Sequence, residues 1–293
     1  MYTITHENVS ASVNPAGAEL SSLKFHQREF LWQGDPNIWA GRAPILFPIV
    51  GTLKNNQMRY RGKQYQLNRH GFARTSVFEK IETDSASAAQ LSLQLTENAD
   101  TLQQYPWKFE LQVHFHLNSD GIEIGYEVIN RDTDTMLFTI GSHPAFRLPV
   151  DNDLSLSDYD VHFNKTESLT RLLLNDDGLL TDAGEECPAH NNAITLDEHL
   201  FDRDALIFKN IQSDKITLRC RQQPRLTVDT GGAPHLGLWA KPGAPYVCIE
   251  PWFGTSDSVE SDGEFANKPD LKTLAPGDTF NHTIGITLAE KAM

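Results

Sequence analysis

The sequence predicts an all-β fold, with residues 1–293 forming one large antiparallel β domain. Apolar residues alternate with polar ones along much of the chain, as they do in half-buried strands. Convincing helical periodicity is almost absent, and no repeat, low-complexity tract or obvious linker divides the 293 residues. Hydrophobic residues make up 39% of the chain, which is ample for a sizeable core. Single all-β domains of roughly 200–250 residues are common, so one domain is the simplest interpretation.

The predicted elements follow in chain order. RYRGKQYQL (residues 59–67) is typical of a short hairpin, and ADTLQQY (residues 99–105) predicts one short helix before Pro106. The clearest hairpin spans residues 108–130, where NSDG provides the turn between two alternating runs with one apolar face. A turn-rich segment from about Asn152 to His199 is interpreted as a loop. Further strands are predicted at DALIF, KITLRC, RLTVD, HLGLW, YVCIE and HTIGITL.

Charge and cysteine content exclude several classes of partner. The chain carries 25 Lys and Arg against 39 Asp and Glu, a formal charge of -14, which disfavours nucleic acids and anionic membranes. The N-terminus has no signal-peptide pattern, and no apolar run is long enough to span a membrane. Three widely spaced cysteines match no zinc or disulfide pattern, and they suit a reducing compartment. We therefore expect a cytoplasmic protein without nucleic-acid or membrane partners; its oligomeric state does not follow from the sequence.

Four segments are poor strands but carry reactive groups. In RAPILFPIVGTLKNN (residues 42–56), two prolines remove backbone donors, so we expect a rigid, partly buried loop with Arg42 and Lys54 near its ends. In NRHGFART (residues 68–75), His70 precedes a glycine that permits a tight turn. In GSHPAF (residues 141–146), His143 lies between serine and proline. Taken singly, such histidines are more often structural than catalytic.

The fourth segment, CIEPWFG (residues 248–254), places Glu250 at the predicted end of an apolar strand, beside Trp252. Desolvation at such a position raises the pKa of a carboxyl group and makes it a better base near neutral pH. Aromatic faces stack on the apolar side of a sugar ring, and carboxylate, Arg and His side chains bind its hydroxyls. From composition alone, these segments support only a weak sugar-site hypothesis.

Taken together and in this order, APILFPIVG, HGFAR, GSHPAF, DALIF and CIEPWFG resemble the aldose 1-epimerase (galactose mutarotase) family, and most closely its bacterial LacX-like branch. The resemblance covers about residues 43–257, with a matching strand start at NPAGAELSSL. It implies a large antiparallel β-sandwich, the galactose mutarotase-like supersandwich, with a broad cleft that binds an aldose. It also implies reversible conversion between the α and β anomers of a free sugar. No group is exchanged in that reaction, so we expect no metal, nucleotide or redox cofactor.

The resemblance also implies roles for individual residues. Glu250 would be the general base that takes the anomeric hydroxyl proton, and His143 the general acid that protonates the ring oxygen. His70 would bind and polarise the same region of the sugar. Asp204 would bind a sugar hydroxyl, although Asp202 lies nearby. We expect Gly141 and Pro144 to fix the approach of the His143 imidazole.

One position departs from the pattern. Related sequences commonly carry Arg where this chain has Thr52, and that Arg binds a sugar hydroxyl. Lys54, Arg42 or Arg74 could substitute for it, with Trp252 as the aromatic wall of the site. Because Glu250, His143 and His70 are all present, we interpret the change as altered selectivity rather than lost activity.

Three competing interpretations stay open. His114 and His116 share one face of a strand and could bind a metal, but a solvated face opposite the apolar row is favoured. The same fold could also serve a non-catalytic sugar-binding or sensing protein. A hexose-6-phosphate 1-epimerase is the third, with phosphate contacts from four cations: Arg42, Lys54, Arg69 and Arg74.

Overall fold

The computed structural model describes residues 1–82, 87–149 and 154–289, and the fold is almost all β. The strands of the first half are β1 (Tyr2–His6), β2 (Val9–Asn14), β3 (Glu19–Phe25), β4 (Arg28–Glu29), β5 (Ile45–Leu46), β6 (Gln57–Tyr60), β7 (Lys63–Gln66), β8 (Glu79–Ile81), β9 (Gln90–Thr96), β10 (Phe109–Leu117), β11 (Gly121–Asn130), β12 (Met136–Phe138), β13 (Ile140–Ser142) and β14 (Ala145–Arg147).

The strands of the second half are β15 (Tyr159–Phe163), β16 (Thr170–Leu174), β17 (Leu180–Glu186), β18 (Ala193–Thr195), β19 (Leu206–Lys209), β20 (Lys215–Cys220), β21 (Gln223–Asp229), β22 (His235–Trp239), β23 (Tyr246–Phe253), β24 (Lys272–Leu274) and β25 (Thr279–Leu288). One α-helix, α1 (Ala99–Gln104), and four short 3₁₀ turns complete the described elements: Lys54–Asn56, Ala73–Thr75, Leu156–Asp158 and Phe265–Asn267. No helix among the described residues is long and apolar enough to cross a membrane.

Two large antiparallel sheets pack face to face. One has nine strands in the order β18-β15-β20-β21-β25-β11-β10-β9-β8. The other has eight, in the order β17-β16-β19-β22-β23-β13-β5, with β14 also paired to β23. The Phe163 ring of the first sheet lies 5.9 Å from the Phe208 ring of the second, and Ser142 donates a 2.8 Å hydrogen bond to the Tyr126 hydroxyl across the same interface. The predicted β-sandwich is therefore confirmed.

Most of the predicted elements are present. Strands β10 and β11 pair along their whole length, and the alternating residues Phe109 to Leu117 are buried because their face packs on the core. The short hairpin is β6–β7. The predicted helix is α1, which begins after Asn98, whose side chain accepts from the backbone N–H groups of Asp100 and Thr101. The six later strands correspond to β19 to β23 and β25.

The interpretation of residues 152–199 as a loop is wrong over the part that the structure describes; residues 152 and 153 lie outside the described residues. Four strands, β15 to β18, occupy this stretch. Strand β17 is the edge of the eight-stranded sheet, and most of its residues are exposed. Because an edge strand can be polar on both faces, its pairing comes from the neighbouring strand rather than from an alternating sequence.

The expectation that Glu250 ends a strand is also wrong, because β23 continues through Pro251 to Phe253. Along one edge of β23, Trp252 pairs with Gly141 of β13, whereas Cys248 pairs with β14. Pro251 falls where β13 gives way to β14, and such an interruption tolerates a residue without an N–H donor. The two-residue alternation of the strand then directs Glu250 and Trp252 to the outer face of the sheet, while Ile249 packs in the core.

Candidate active site

A cavity of about 270 Å³ opens on the outer face of the eight-stranded sheet, and we call it the main cavity. Six residues that the sequence assigned to the sugar site line it: His70, Arg74, His143, Asp204, Glu250 and Trp252. The volume lies just below the range of about 300–1,000 Å³ that holds drug-sized ligands. The main cavity therefore suits a ligand the size of one sugar ring.

His143 and Glu250 form a buried pair in this cavity. His143 Nε2 lies 3.2 Å from Glu250 Oε2, and the two side chains are 9% and 1% exposed. His143 occupies the break between β13 and β14, both of which pair with β23, the strand that carries Glu250. Pro144 secures this arrangement, because its carbonyl accepts a 3.2 Å hydrogen bond from the Ile249 N–H.

Burial shifts the pKa values of both groups towards their neutral forms. It raises the pKa of Glu250 well above its usual value, while Arg69 and Arg74 oppose that rise. It lowers the pKa of His143 to about 3, and the nearby charges of Arg74 and Arg69 lower it further. Since a charge in a low-dielectric site is costly, the pair prefers to hold one proton on the carboxyl group at neutral pH.

His70 stands beside this pair in a tight turn. It has a φ of 68° and Gly71 a φ of 69°, and a Cβ on Gly71 would lie 2.3 Å from the Phe47 carbonyl oxygen. The Gly51 N–H donates to His70 Nδ1 at 3.1 Å, and the Arg69 Nε–H donates to Nε2 at 3.3 Å. Both ring nitrogens therefore face N–H donors, which disfavours the imidazolium form, because an imidazolium has no acceptor.

The chemical consequence is a neutral imidazole. Burial, followed by the charge of Arg69, lowers the pKa of His70 well below its usual value. The His70 ring meets the His143 ring edge-on with centroids 5.9 Å apart, so the neutral ring lies beside the His143–Glu250 pair.

Trp252 forms one wall of the main cavity, and two glycines make room for it. A Cβ on Gly141 or on Gly237 would lie 2.5 Å from the Trp252 indole. Gly141 therefore accommodates the neighbouring indole, and its expected part in fixing the imidazole of His143 stays a prediction. Both glycines lie on strands that flank β23, so the indole can lie flat over the sheet.

Two further aromatic residues were missed by the sequence reasoning. The Trp39 ring stacks on His143 with centroids 5.3 Å apart and planes at 29°. The Trp239 ring meets His143 edge-on, with centroids 5.7 Å apart. Both line the main cavity. The sequence contained two signals for these residues: a tryptophan just before the 42–56 segment and another at the end of HLGLW.

The charged residues divide clearly between the cavity and the rest of the surface. Asp204, in a left-handed conformation with a φ of 68°, lines the main cavity. Asp202, the alternative, instead contacts His199 at 2.9 Å on the exposed surface. Arg74 lines the cavity as expected. Arg69 lines it too, although it was considered only as a phosphate contact.

The structure does not bring Lys54 and Arg42 to the main cavity. Lys54 Nζ donates to the carbonyls of Val259 and Ser261 at 2.7 and 3.0 Å. The Arg42 guanidinium packs against Gly34, where a Cβ would lie 3.0 Å from Cζ. The expectation that either one substitutes for an Arg at position 52 is therefore wrong, because both side chains point away from the main cavity.

One group in the described residues has the composition of a metal site. Ligand atoms of His143, Cys248 and Glu250 lie within 4.8 Å of one another. Burial, and then the charge of Glu250, raises the pKa of the Cys248 thiol well above its usual value. A coordinating thiol must lose its proton, so this environment disfavours a cysteine ligand.

The two histidines of β10 do not form such a group. His114 lies 3.7 Å from Glu127, and His116 lies 3.8 Å from Glu123. Each histidine thus contacts a different carboxylate, and the His116 side chain is 50% exposed. This arrangement fits the solvated face that the sequence favoured.

Comparisons with known proteins are consistent across the whole chain. The family model described as aldose 1-epimerase matches residues 1–287. Protein LacX of Lactococcus lactis subsp. lactis is 33% identical over 296 residues, which cover 97% of this chain and 98% of that protein.

Two solved structures share the fold. A galactose mutarotase related enzyme from Lactobacillus acidophilus is 34% identical, with a TM-score of 0.91 and coverage of 99% of this chain and 97% of that one. A galactose mutarotase-like protein from Lactobacillus casei is 30% identical, also with a TM-score of 0.91, and coverage is 99% of this chain and 100% of that one.

Proposed function

This chain belongs to the aldose 1-epimerase family, and from that premise we propose that it interconverts the α and β anomers of a free aldohexose. Glu250 and His143 exchange the two protons, and His70 holds the reacting part of the sugar. The observation that carries the proposal is the 3.2 Å contact between His143 Nε2 and Glu250 Oε2 inside a cavity the size of one ring.

The reaction is balanced by these two side chains alone. Glu250 takes the proton of the anomeric hydroxyl, the bond between C1 and the ring oxygen breaks, and His143 gives a proton to that oxygen. The aldehyde then turns about the C1–C2 bond and closes on its other face, with both transfers reversed. The pair holds one proton before and after ring opening, and only the position of that proton changes.

The burial of the pair provides a driving force for the two transfers. With a sugar bound against the pair, the reactive state is an imidazolium and a carboxylate, and ring opening converts both to neutral groups. Because burial disfavours the charged forms, the Glu250 carboxylate is a stronger base than a carboxylate in water. For the same reason, the His143 imidazolium is a stronger acid than an imidazolium in water. Acid and base catalysis of this kind contribute about 10²–10⁴-fold each.

The surrounding residues support sugar binding. The neutral His70 ring lies beside the pair, and Trp252 offers a flat apolar face. Asp204, Arg69 and Arg74 line the same cavity and can hydrogen-bond to hydroxyls. No step in this reaction exchanges a group with another molecule, so the proposed chemistry needs no cofactor.

The charge distribution favours a free sugar over a sugar phosphate. Of the four cations considered as phosphate contacts, Arg69 and Arg74 line the main cavity. Asp204 offsets one of these two charges, and the His143–Glu250 pair with its one proton carries no net charge, so little positive charge is left for a phosphate. A hexose 6-phosphate should therefore be converted with a lower kcat/KM than the matching hexose.

The test is the approach of fresh α-glucose and α-galactose to anomeric equilibrium, followed by polarimetry or NMR. We expect clear acceleration by the protein and a loss of at least about 10²-fold in Glu250→Gln. Glu123→Gln, at an exposed carboxylate on β11, should retain the rate. Binding of the sugars without acceleration would identify a non-catalytic binding protein, and an unchanged rate in Glu250→Gln would exclude the proposed base.

A further inference from the structure

Ser256 lines the main cavity beside Gly51, and the proposed proton transfers give it no role. It follows the end of β23 and is 8% exposed. The two residues are in close contact, because a Cβ on Gly51 would lie 2.1 Å from Ser256 Oγ. Gly51 also has a φ of 76°, a conformation that favours glycine. A glycine at position 51 is therefore needed for the hydroxyl to occupy this place.

One hydrogen bond orients the Ser256 side chain. Its Oγ accepts from the Thr52 N–H at 3.0 Å, and this is the only hydrogen bond of that side chain among the described residues. A hydroxyl group has one donor in addition to its acceptor sites. The O–H proton of Ser256 thus has no acceptor among these residues, and a ligand in the main cavity can provide one.

Position 52 contributes to the main cavity through its backbone rather than its side chain. Thr52 Oγ1 lies beside Gly178, where a Cβ would be 3.0 Å away, and Thr52 lines a neighbouring cavity instead of the main one. Its N–H nevertheless fixes the Ser256 hydroxyl. The Asp257 N–H donates to the Thr52 carbonyl at 2.8 Å, so two bonds join the segments that carry Thr52 and Ser256.

A buried ion pair holds the residues on either side of Ser256. Lys268 Nζ donates to the Thr255 carbonyl at 2.7 Å and to Asp257 Oδ1 at 2.8 Å. The Lys268 and Asp257 side chains are only 2% and 5% exposed. Asp257 Oδ2 also accepts from the Lys54 N–H at 3.0 Å. Because both neighbours are fixed, Ser256 loses little freedom on binding a ligand, and a preorganised contact of this kind is stronger.

The reacting pair does not contact Ser256 directly. Ser256 packs on Gly51, the Gly51 N–H donates to His70 Nδ1 at 3.1 Å, and the His70 ring lies next to that of His143. In the proposed reaction, Glu250 and His143 serve the anomeric hydroxyl and the ring oxygen. The other hydroxyls of an aldohexose are neutral acceptors, and a serine hydroxyl is a neutral donor that suits them.

We propose that Ser256 is a specificity-determining residue of the sugar site, and that its O–H donates a hydrogen bond to one hydroxyl of the bound aldose other than the anomeric one. This inference rests on the proposed function, because the sugar must lie in the main cavity with its anomeric centre at His143 and Glu250. A sugar that lacks the contacted hydroxyl loses this bond but still undergoes both proton transfers.

The experiment combines one substitution with a set of deoxy sugars. Anomer exchange is measured by NMR for the wild type and for Ser256→Ala, with glucose and with its 2-, 3-, 4- and 6-deoxy forms, each of which lacks one hydroxyl. We expect Ser256→Ala to lower kcat/KM for glucose about three- to ten-fold, as for the loss of one uncharged hydrogen bond. For one deoxy sugar the two proteins should have equal values, because the partner of the serine is already missing.

The outcomes separate this inference from the proposed function. An equal loss in Ser256→Ala on every sugar would show that the serine only supports the structure around Thr52, and would contradict the proposal. An unchanged kcat/KM for glucose would contradict it as well, while the proposed activity stands. If the wild type accelerates none of these sugars, the proposed function itself fails.

Ser213→Ala is the matched control, because it also removes a buried hydroxyl that accepts from a backbone N–H. Ser213 is 2% exposed, and its Oγ accepts from the Lys165 N–H at 3.0 Å. Unlike Ser256, it donates to a protein acceptor, the Lys165 carbonyl at 3.3 Å, and it does not line the main cavity. Calorimetry should show a lower Tm in both variants, but Ser213→Ala should keep the wild-type kcat/KM on every sugar. A matching loss of kcat/KM in Ser213→Ala would attribute the effect to stability and overturn the role of Ser256.

Discussion

His143 Nε2 lies 3.2 Å from Glu250 Oε2 because the histidine occupies an interruption between two short strands that pair with the strand of the glutamate. The contact joins two groups whose neutral forms are favoured by burial. A pair of this kind titrates as a unit, so its pH behaviour belongs to both residues together.

The pH dependence of kcat/KM should be bell-shaped, because only the pair with one proton contains both an acid and a base. When His143 takes up a second proton, the pair no longer contains a base. Because the pKa of this histidine is lowered to about 3, the acid limb of the profile should lie well below pH 6. Loss of the last proton removes the acid, and the pKa of Glu250 is raised, so the alkaline limb should lie well above pH 4.5.

Rates of anomer exchange measured by NMR from pH 3 to pH 10 would check this profile, with folding monitored by circular dichroism. An acid limb at the ordinary pKa of histidine, near 6.5, would show that burial does not control the pair.

Glu250→Gln should stabilise the protein more at pH 8 than at pH 5. The pKa of Glu250 is raised in the folded state, so above pH 4.5 the unfolded chain gains stability by ionising this carboxyl group, and folding stability falls as pH rises. Glutamine does not ionise and avoids that loss. We therefore expect the Tm of the variant, relative to that of the wild type, to be higher at pH 8 than at pH 5.

Thermal unfolding followed by calorimetry at the two pH values provides the comparison. Glu123→Gln, at an exposed position, is the control and should show no difference between them. A Tm at pH 8 below that of the wild type would mean that the Glu250 carboxylate is stabilised in the folded protein.

Gly237→Ala should displace Trp252 and raise KM for the sugar. The new Cβ would lie 2.5 Å from the indole, and overpacking of this kind costs about 1–3 kcal/mol. Gly125→Ala on β11 is the matched control, because its Cβ would make an ordinary 3.6 Å contact. KM and tryptophan fluorescence should change in the first variant only; equal values in both would show that Trp252 is not held against Gly237.

Lys54→Met should lower stability without changing KM, whereas Arg74→Met should raise KM. Lys54 bonds two backbone carbonyls outside the main cavity, so its loss should lower stability by about 1–2 kcal/mol with KM for glucose unchanged. Arg74 lines the cavity, so its loss should raise KM several-fold. Urea unfolding and saturation kinetics on both variants distinguish these effects. A higher KM in Lys54→Met would indicate that this lysine contacts the sugar after all.

The sequence determined the fold class and the family of this protein. Alternating apolar residues indicate strands because side chains in a strand point to opposite faces, and β10 and β11 follow that pattern over their whole length. The motifs also identified His70, His143, Glu250 and Trp252, which the structure brings into one cavity. Their catalytic and binding roles, the single domain and the cytoplasmic location stay predictions.

Only the tertiary structure decided which charged residues reach the cavity and which strands complete the sheets. Lys54 and Arg42 lie close to the motifs in sequence but point elsewhere, whereas Trp39 and Trp239 reach His143 from separate segments. Strand β17 lacks an alternating pattern because, at the edge of a sheet, most of its side chains face solvent. Local sequence encodes the direction of a side chain relative to its own strand. Which strands become neighbours, and therefore which groups meet, depends on the packing of the whole chain.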